Sequence, residues 1–314
     1  MYNSRWYIEM NKFKAYLTLI RYPLFAIPIV ATLPGIILSG NITWRAGVAL
    51  FVALLGYWAG MVKNDYFHRE HDAIANPHRP LPSRRLDPRG AFIVASTLYV
   101  ICLILGFLVL NYKAGLMVVV LIMISHAYNA LLKERGIWGS ISLPVGIGLL
   151  SVFGALAVSG TVPILVWYVF AATTLFDFGT HITTTFKDIE RDKSIGIATT
   201  PLQIGVKPAL AVSWTATIAA CVIAMLPCLI ENVDYRYSLW VILALGATCV
   251  TRIPLIFHQT EKNGYLALKG SMIASITFFP SLMSIAMPLW QSALIILPLL
   301  AVTIALLQMA KQEV

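Results

Sequence analysis

The chain has 314 residues, of which 59% are hydrophobic and only 12% are charged. A soluble domain has about 25% charged residues, so this composition excludes a water-soluble globular protein. The net charge of +9 does not indicate a nucleic-acid partner, because the basic residues are held between apolar segments rather than gathered on one solvated surface.

Apolar segments of about 20 residues recur along the chain, which is the length a helix needs to cross a membrane. They do not alternate as the strands of a β-barrel would. We therefore predict an all-α, polytopic bundle and one transmembrane domain over residues 1–314. The predicted spans are at about 17–39, 46–67, 90–110, 114–132, 138–159, 163–188, 207–229, 237–257, 265–285 and 288–309. Pro280 and Pro288 leave open one broken span plus a surface helix at the end.

The basic residues predict the orientation, because loops on the cytoplasmic side of a membrane are rich in Lys and Arg. With the N-terminus inside, all but three of the 23 Lys and Arg residues fall in inner segments. Ten spans also place Lys311 inside, which favours ten spans over nine. We expect an integral protein of the cytoplasmic or inner membrane. We also expect no cleavable signal, because residues 1–14 are polar and many apolar segments follow the first.

Two acidic clusters, residues 64–72 and 187–192, each follow an apolar helix on the same predicted side of the membrane. Residues four apart in sequence stack on one face of a helix. The stacked residues are Asn64, His68 and Asp72 in the first cluster, and Asp188 and Asp192 in the second. Each cluster alone could be an ordinary solvated helix end, but two on one side favour a shared site.

Carboxylates at this spacing repel each other, and a hard divalent cation removes that cost. Mg²⁺ takes oxygen ligands and is often shared between carboxylates and substrate phosphates. We therefore predict Mg²⁺ as the cofactor and a diphosphate bound between the clusters. The predicted metal ligands are Asn64, Asp72, Asp188 and Asp192. Lys187 and Arg191, next to the second cluster, are candidates to neutralise the diphosphate.

A polar stripe on the sixth predicted helix descends from the second cluster into the membrane and includes Asp177 and His181. A carboxylate at mid-depth is costly unless it is neutral or paired. The stripe therefore has two interpretations. It is a cavity wall that contacts an acceptor or stabilises a carbocation, or Asp177 and His181 form a buried structural pair.

Residues 64–83 read Asn-Asp-x-x-His-Arg-x-x-Asp-Ala-Ile-x-Asn-Pro-x-Arg-Pro-Leu-Pro-Ser, and residues 187–205 contain Lys-Asp-Ile-Glu-x-Asp. These segments resemble the two signatures of the UbiA superfamily of intramembrane prenyltransferases. Between them, residues 128–140 are similar to the family's Tyr…Lys…Gly-Asn segment. An early Arg-Tyr-Pro at residues 21–23 stands where the family often has Arg-Pro.

The resemblance implies about nine helices in a ring around a cavity that opens sideways to lipid, so a tenth helix here would be an addition. It also implies transfer of a prenyl group from a prenyl diphosphate to a lipophilic acceptor, such as an aromatic compound or a quinone precursor. The implied catalytic residues are His68, Asp72, Asp177, Asp188 and Asp192. The implied substrate-binding residues are Asn64, Asp65, Arg79, Tyr128, Lys133, His181, Lys187 and Arg191. The loops 63–90 and 187–207 would face the cytoplasm.

The sequence departs from the family pattern at three positions. His68 stands where the family usually has Asp, Ser140 replaces Asn, and Arg84 stands where Gly is commoner. His68 could be a neutral metal ligand, a hydrogen-bond donor to the diphosphate or a proton acceptor, with Asp65 supplying the missing carboxylate. The alternative is a tolerated change at a site that the remaining ligands hold.

Two other functions compete with prenyl transfer. A terpene cyclase of the same family would ionise the same diphosphate without an acceptor and would need a base, for which His68, Asp177 or His181 is a candidate. A transporter with acidic gates is disfavoured, because the acidic residues lie at helix ends on one side and no path across the membrane is evident. The sequence leaves the acceptor and the prenyl chain length open.

Overall fold

The computed structural model describes residues 12–194 and 196–309, and within these ranges it contains helices and no β-strand. The helices are α1 (Lys12–Leu19), α2 (Ala26–Leu38), α3 (Trp44–Phe67), α4 (Arg69–Ala75), α5 (Pro88–Ile104), α6 (Tyr112–Ala127), α7 (Ile137–Ser159), α8 (Ile164–Thr184), α9 (Ile189–Ser194), α10 (Thr200–Ile204), α11 (Val206–Ile230), α12 (Ser238–Phe257), α13 (Glu261–Phe278) and α14 (Leu289–Met309).

Long helices occupy the positions of all ten predicted spans, which confirms a polytopic all-α fold. Of the described helices, eight are long and apolar enough to cross a membrane, and a ninth span results if the bent pair α1 and Tyr22–Leu38 counts as one. The helix α8 is 21 residues long but more polar, because it carries Asp177, His181 and five threonines. The count of ten spans stays a prediction, and Lys311 lies outside the described residues.

Two predicted spans differ in detail from the observed helices. The span predicted over 17–39 is broken into two helices that meet at 43°. The break falls at Arg21, which has a φ of 52° and precedes a short 3-10 turn over Tyr22–Leu24. The span predicted over 163–188 ends at Thr184, and a 3-10 turn over Thr185–Asp188 leads into α9.

The last two spans are separate helices, so the alternative of one broken span plus a surface helix is not observed. After α13, Pro280 comes just before a 3-10 turn over Ser281–Ile285. Proline cannot donate the backbone hydrogen bond that would continue the α-helix. The helix α14 then starts one residue after Pro288.

Side-chain caps fix the start of the membrane helices α5 and α6. The side chain of Asp87 accepts a 2.7 Å hydrogen bond from the backbone N of Gly90, and Pro88 occupies the first turn of α5. The side chain of Asn111 accepts a 3.0 Å bond from the backbone N of Ala114 at the start of α6. Both caps satisfy N–H groups that have no partner within the helix.

Close packing of α2, α7, α8, α11 and α13 forms the centre of the bundle. A Cβ atom on Gly154 of α7 would lie 2.5 Å from the carbonyl oxygen of Thr32 in α2, so only glycine permits this approach. Phe176 of α8 stacks on Phe278 of α13 with ring centroids 4.1 Å apart. The stacked rings hold α8 against α13, and α13 also packs against the turn over Thr185–Asp188 that leads into the second acidic cluster.

Candidate functional site

One polar cavity gathers side chains from both acidic clusters. Of the predicted site residues, it is lined by Asn64, His68, Asp72, Arg79, Tyr128, Lys133, His181, Lys187, Asp188, Arg191 and Asp192. Asp65 and Asp177 do not line it. The cavity also has Arg21, Asn76, His71 and Glu134 in its wall, none of which was predicted as a site residue.

Arginine side chains neutralise the first cluster. Arg79 Nη1 lies 2.8 Å from both carboxylate oxygens of Asp72, and Asn76 donates to Asp72 Oδ1 at 3.1 Å. Burial favours a higher pKa for Asp72, but Arg79 and Asn76 outweigh it and the net pKa is lowered. Asp65 accepts from Arg21 Nη2 at 3.3 Å, so it orients Arg21 at the wall of the cavity.

The second cluster is reached by the turn that follows α8. Asp188 pairs with Arg191, and Lys187 Nζ lies 3.8 Å from Asp188 Oδ2. Arg191 Nη1 also donates to Asn76 Oδ1 at 3.0 Å. This bond joins the two signature segments directly across the cavity, as their predicted position on one side of the membrane requires.

Asp192 is the one predicted metal ligand whose side chain has no hydrogen bond or ion pair within residues 12–194 and 196–309. Burial raises the pKa of Asp192 to about 6, although Arg191, Lys133 and Lys187 act in the opposite direction. Burial, together with the surrounding arginines, lowers the pKa of Lys187 to about 7. A carboxylate that lacks a counter-ion in an oxygen-rich cavity suits a divalent cation.

A π-helical turn over Tyr128–Leu132 explains how Tyr128 and Lys133 reach the same cavity. The backbone N of Lys133 donates to the carbonyl of Tyr128 at 3.0 Å, five residues back, and this spacing puts both side chains on one face. Lys133 Nζ then donates to Asn64 Oδ1 at 2.6 Å. Such turns are rare and frequently occur at functional sites.

His68 faces a carboxylate that no sequence pattern predicts. His68 Nδ1 lies 2.9 Å from Glu134 Oε1, and His71 Nδ1 lies 2.8 Å from the same oxygen. Burial and the charge of Lys133 lower the pKa of His68 to about 4, against the effect of Glu134. His68 is therefore neutral at pH 7, and its Nδ1–H donates to Glu134. Because Glu134 comes from the turn before α7, no local pattern connects it to position 68.

The other two departures from the family pattern have local explanations. Arg84 has a φ of 60°, in the left-handed region that favours glycine, so the chain keeps the backbone turn without the residue that adopts it most easily. Ser140 Oγ lies 2.8 Å from Thr200 Oγ1 in a buried pair. This contact ties the start of α7 to the second signature segment.

A second cavity, largely apolar, lies deeper among α3, α5, α6 and α7. Its walls include Val52, Gly56, Cys102, Leu121, Ile147 and Phe153. Tyr128 lines both cavities, and its ring packs edge to face against His181, with centroids 6.0 Å apart. Tyr128 therefore marks the junction between a polar compartment and an apolar one.

Asp177 and His181 are not joined by any hydrogen bond in the described part of the chain, so the structure does not show the predicted structural pair. His181 lines the polar cavity. Asp177 lies outside both cavities but interacts electrostatically with the hydroxyls of Tyr57 and Tyr128. It therefore faces the junction rather than the diphosphate compartment.

A model of the UbiA prenyltransferase family matches residues 28–273, well over half of the chain. The chain belongs to the UbiA prenyltransferase family. This match confirms the predicted family and, with the apolar helices, a multi-pass membrane protein. It also extends the likeness beyond Gly205, where the recognisable signature ends.

Named relatives agree with this assignment. The digeranylgeranylglyceryl phosphate synthase of Methanosphaera stadtmanae is 27% identical over 231 residues, which is 73% of this chain and 79% of that protein. A solved structure described as digeranylgeranylglyceryl phosphate synthase in membranes has a TM-score of 0.69 at 24% identity, covering 88% of this chain and 99% of that one. The prediction that the chain is a prenyltransferase is confirmed.

A UbiA homologue from Archaeoglobus fulgidus, bound to GPP and Mg²⁺, has a TM-score of 0.61 at 17% identity. The superposition covers 94% of this chain and 99% of that chain. At this level of identity the likeness establishes a shared fold.

Proposed function

We propose that the chain transfers a prenyl group from a prenyl diphosphate to a lipophilic acceptor, with Mg²⁺ as cofactor. The observation that supports this most is the pair of adjoining cavities. The polar one is lined by both carboxylate clusters and five Arg or Lys side chains, and the apolar one meets it at Tyr128. A molecule with an anionic head and a long hydrocarbon tail fits such a pair of compartments.

Asn64, Asp72, Asp188 and Asp192 would hold Mg²⁺, since all four offer oxygen ligands to one cavity. Bound Mg²⁺ would supply charge stabilisation for the diphosphate as the bond from its oxygen to the prenyl C1 breaks. The charges of the site suit Mg²⁺. Three of the four ligands are now engaged by the basic side chains of Arg79, Lys133 and Arg191. With Mg²⁺ bound to these ligands, the three basic side chains would be free to donate to phosphate oxygens.

The hydrocarbon tail of the donor would occupy the apolar cavity, which places C1 near Tyr128. The π-face of an aromatic ring attracts a cation, so Tyr128 would stabilise the allylic cation that forms at C1. The apolar walls exclude water, which would otherwise quench the cation.

For the acceptor, we propose a prenylated glyceryl phosphate lipid. Relatives named digeranylgeranylglyceryl phosphate synthase, such as the Methanosphaera protein, support this class. The hydroxyl oxygen of the acceptor would form a bond to C1 as the bond from C1 to the diphosphate oxygen breaks, and the hydroxyl proton would pass to the departing diphosphate. We further propose that this chemistry takes place at the cytoplasmic side, on the distribution of Lys and Arg residues.

Product analysis tests both the reaction and the acceptor. The purified full-length protein is incubated with geranylgeranyl diphosphate and Mg²⁺, together with geranylgeranylglyceryl phosphate, with an aromatic acid or with no acceptor, and products are identified by mass spectrometry. We expect a diprenylated glyceryl phosphate in the first reaction alone. A prenylated aromatic acid would refute the acceptor class. A hydrocarbon or terpene alcohol formed without acceptor would instead show a cyclase.

A further inference from the structure

His68, His71 and Glu134 form a compact group at the wall of the polar cavity, apart from the four predicted Mg²⁺ ligands. His68 connects α3 to α4, His71 lies in α4, and Glu134 lies in the turn before α7. One potential ligand atom from each of the three residues lies within 4.8 Å of the other two. This group brings together two imidazoles and one carboxylate that are distant in sequence.

The two imidazoles converge on a single oxygen. His68 Nδ1 and His71 Nδ1 lie 2.9 and 2.8 Å from Glu134 Oε1. In a tetrahedral site with bonds of about 2.0–2.1 Å, neighbouring ligand atoms are separated by about 3.4 Å. The two N···O distances therefore need to lengthen by only about 0.5 Å to admit an ion, and the two imidazole nitrogens lie within 4.8 Å of each other. The side chains of His71 and Glu134 are about 40% exposed and are free to make this adjustment.

We propose that His68, His71 and Glu134 form a binding site for a divalent transition metal ion such as Zn²⁺. Imidazole nitrogen is a softer ligand than carboxylate oxygen and favours Zn²⁺ over Mg²⁺. Three protein ligands leave one position of a tetrahedral ion open, and the exposure of His71 and Glu134 allows water to fill it. An ion bound to Nδ1 of each ring would require the tautomer that carries the proton on Nε2, so the protons that now point at Glu134 would move to Nε2.

The buried ring of His68 gives an independent indication. His68 is 7% exposed, and its Nε2 has no hydrogen-bond partner in the described chain. Among the described residues, its contact with Glu134 is therefore the only polar contact that orients the ring. The charge of Lys133 disfavours a cation here, but its amine donates to Asn64, and the carboxylate of Asp72 acts on His68 with the opposite sign.

Metal binding at this group does not depend on prenyl transfer, so the two proposals fail separately. One consequence does rest on the proposed function. Because all three residues line the polar cavity, an ion there would add positive charge where the diphosphate binds.

Cobalt(II) is a suitable probe, because its visible absorption reports the coordination of a zinc-type site. We would titrate the untagged full-length protein in detergent with Co²⁺ and with Zn²⁺. We expect one tightly bound Co²⁺ per chain, with affinity at least tenfold weaker in His71→Ala and in Glu134→Gln. His71→Cys should keep the ion and add a thiolate-to-cobalt band in the near ultraviolet, which a purely structural role would not produce.

Two variants serve as controls. His78→Ala removes an exposed histidine from the neighbouring loop and should leave Co²⁺ binding unchanged. The double variant Asp188→Asn/Asp192→Asn should also retain it. Absence of stoichiometric binding, full affinity in both His71→Ala and Glu134→Gln, or loss of binding in the double aspartate variant would each overturn the proposal.

Discussion

Asp192 differs from the other predicted metal ligands because no side chain of the described residues pairs with it. Burial raises its pKa to about 6 although Arg191, Lys133 and Lys187 oppose the shift, so the charge of the ionised carboxylate is incompletely compensated when no cation is bound. We expect Asp192→Asn to lower kcat/KM at least a hundredfold, because the charge that develops on the leaving diphosphate loses part of its compensation. Release of inorganic diphosphate at saturating Mg²⁺ measures this.

Glu190→Gln is the matched control, since Glu190 lies in the same short helix as Asp192 but is exposed. It should keep activity within about threefold, as expected for a surface charge. Equal losses in both variants would show that α9 tolerates no charge change and that Asp192 has no specific role.

Tyr128 tests the junction between the two cavities. If its ring stabilises a cation, Tyr128→Phe should keep most of the activity, while Tyr128→Leu should lower kcat about fivefold with little change in KM, because cation–π contacts contribute about 1 kcal/mol. Steady-state kinetics with geranyl diphosphate measures both constants. Equal kcat values for the Phe and Leu variants would show that the ring of Tyr128 does not stabilise a cation.

For individual residues, the sequence predicts which side chains lie together on one helix. It does not predict contacts between side chains that are distant in sequence. The spacing of four residues was enough to pair Asp188 with Asp192. Lys133 was a candidate because of a family resemblance, and the π-helical turn that directs it was not predictable. Glu134 and Arg21 meet His68 and Asp65 only through tertiary packing, so no local signal marks them.

Among the helices, α13 is distant in sequence from the second acidic cluster but packs directly against the turn that carries part of it. Gly264 packs against the turn over Thr185–Asp188, and a Cβ atom on it would lie 2.6 Å from the backbone N of Lys187. We expect Gly264→Ala to push this turn aside at a cost of about 1–3 kcal/mol. It should lower kcat/KM at least tenfold, because Lys187 and Asp188 leave their positions. Thermal unfolding and turnover are measured together.

Gly246→Ala provides the comparison, because Gly246 lies within a membrane helix with nothing near enough for a Cβ atom to meet. Its activity and unfolding temperature should stay near those of the wild type. An unchanged Gly264→Ala enzyme would show that α13 does not hold the turn.

The helices themselves were predicted well because hydropathy and length determine them, and their interruptions were not. The span ending in the second cluster was placed four residues too long, since the sequence does not show that α13 packs against residues 185–188. The break at Arg21 likewise depends on a left-handed backbone that no apolar pattern reveals.

For the whole molecule, the orientation in the membrane is still a prediction. In a cysteine-free background, Lys193→Cys and Lys262→Cys should react with an impermeant maleimide only after the cells are opened, since both residues are exposed and lie on the predicted cytoplasmic side. Asp234→Cys, at the turn between α11 and α12, should react in intact cells. The reverse pattern would put the site on the outside.

The central claim is that both carboxylate clusters bind one prenyl diphosphate through Mg²⁺. It is tested most directly by calorimetric titration of the full-length protein with S-geranyl thiolodiphosphate, a donor analogue that resists ionisation. We expect the analogue to bind in the presence of Mg²⁺ and not in EDTA, and we expect Asp72→Asn and Asp188→Asn each to weaken its binding at least tenfold. We also expect the double variant to lose less than the sum of the two, because the residues share one ligand. Equal affinity with Mg²⁺ and with EDTA, or dependence on only one cluster, would contradict the central claim.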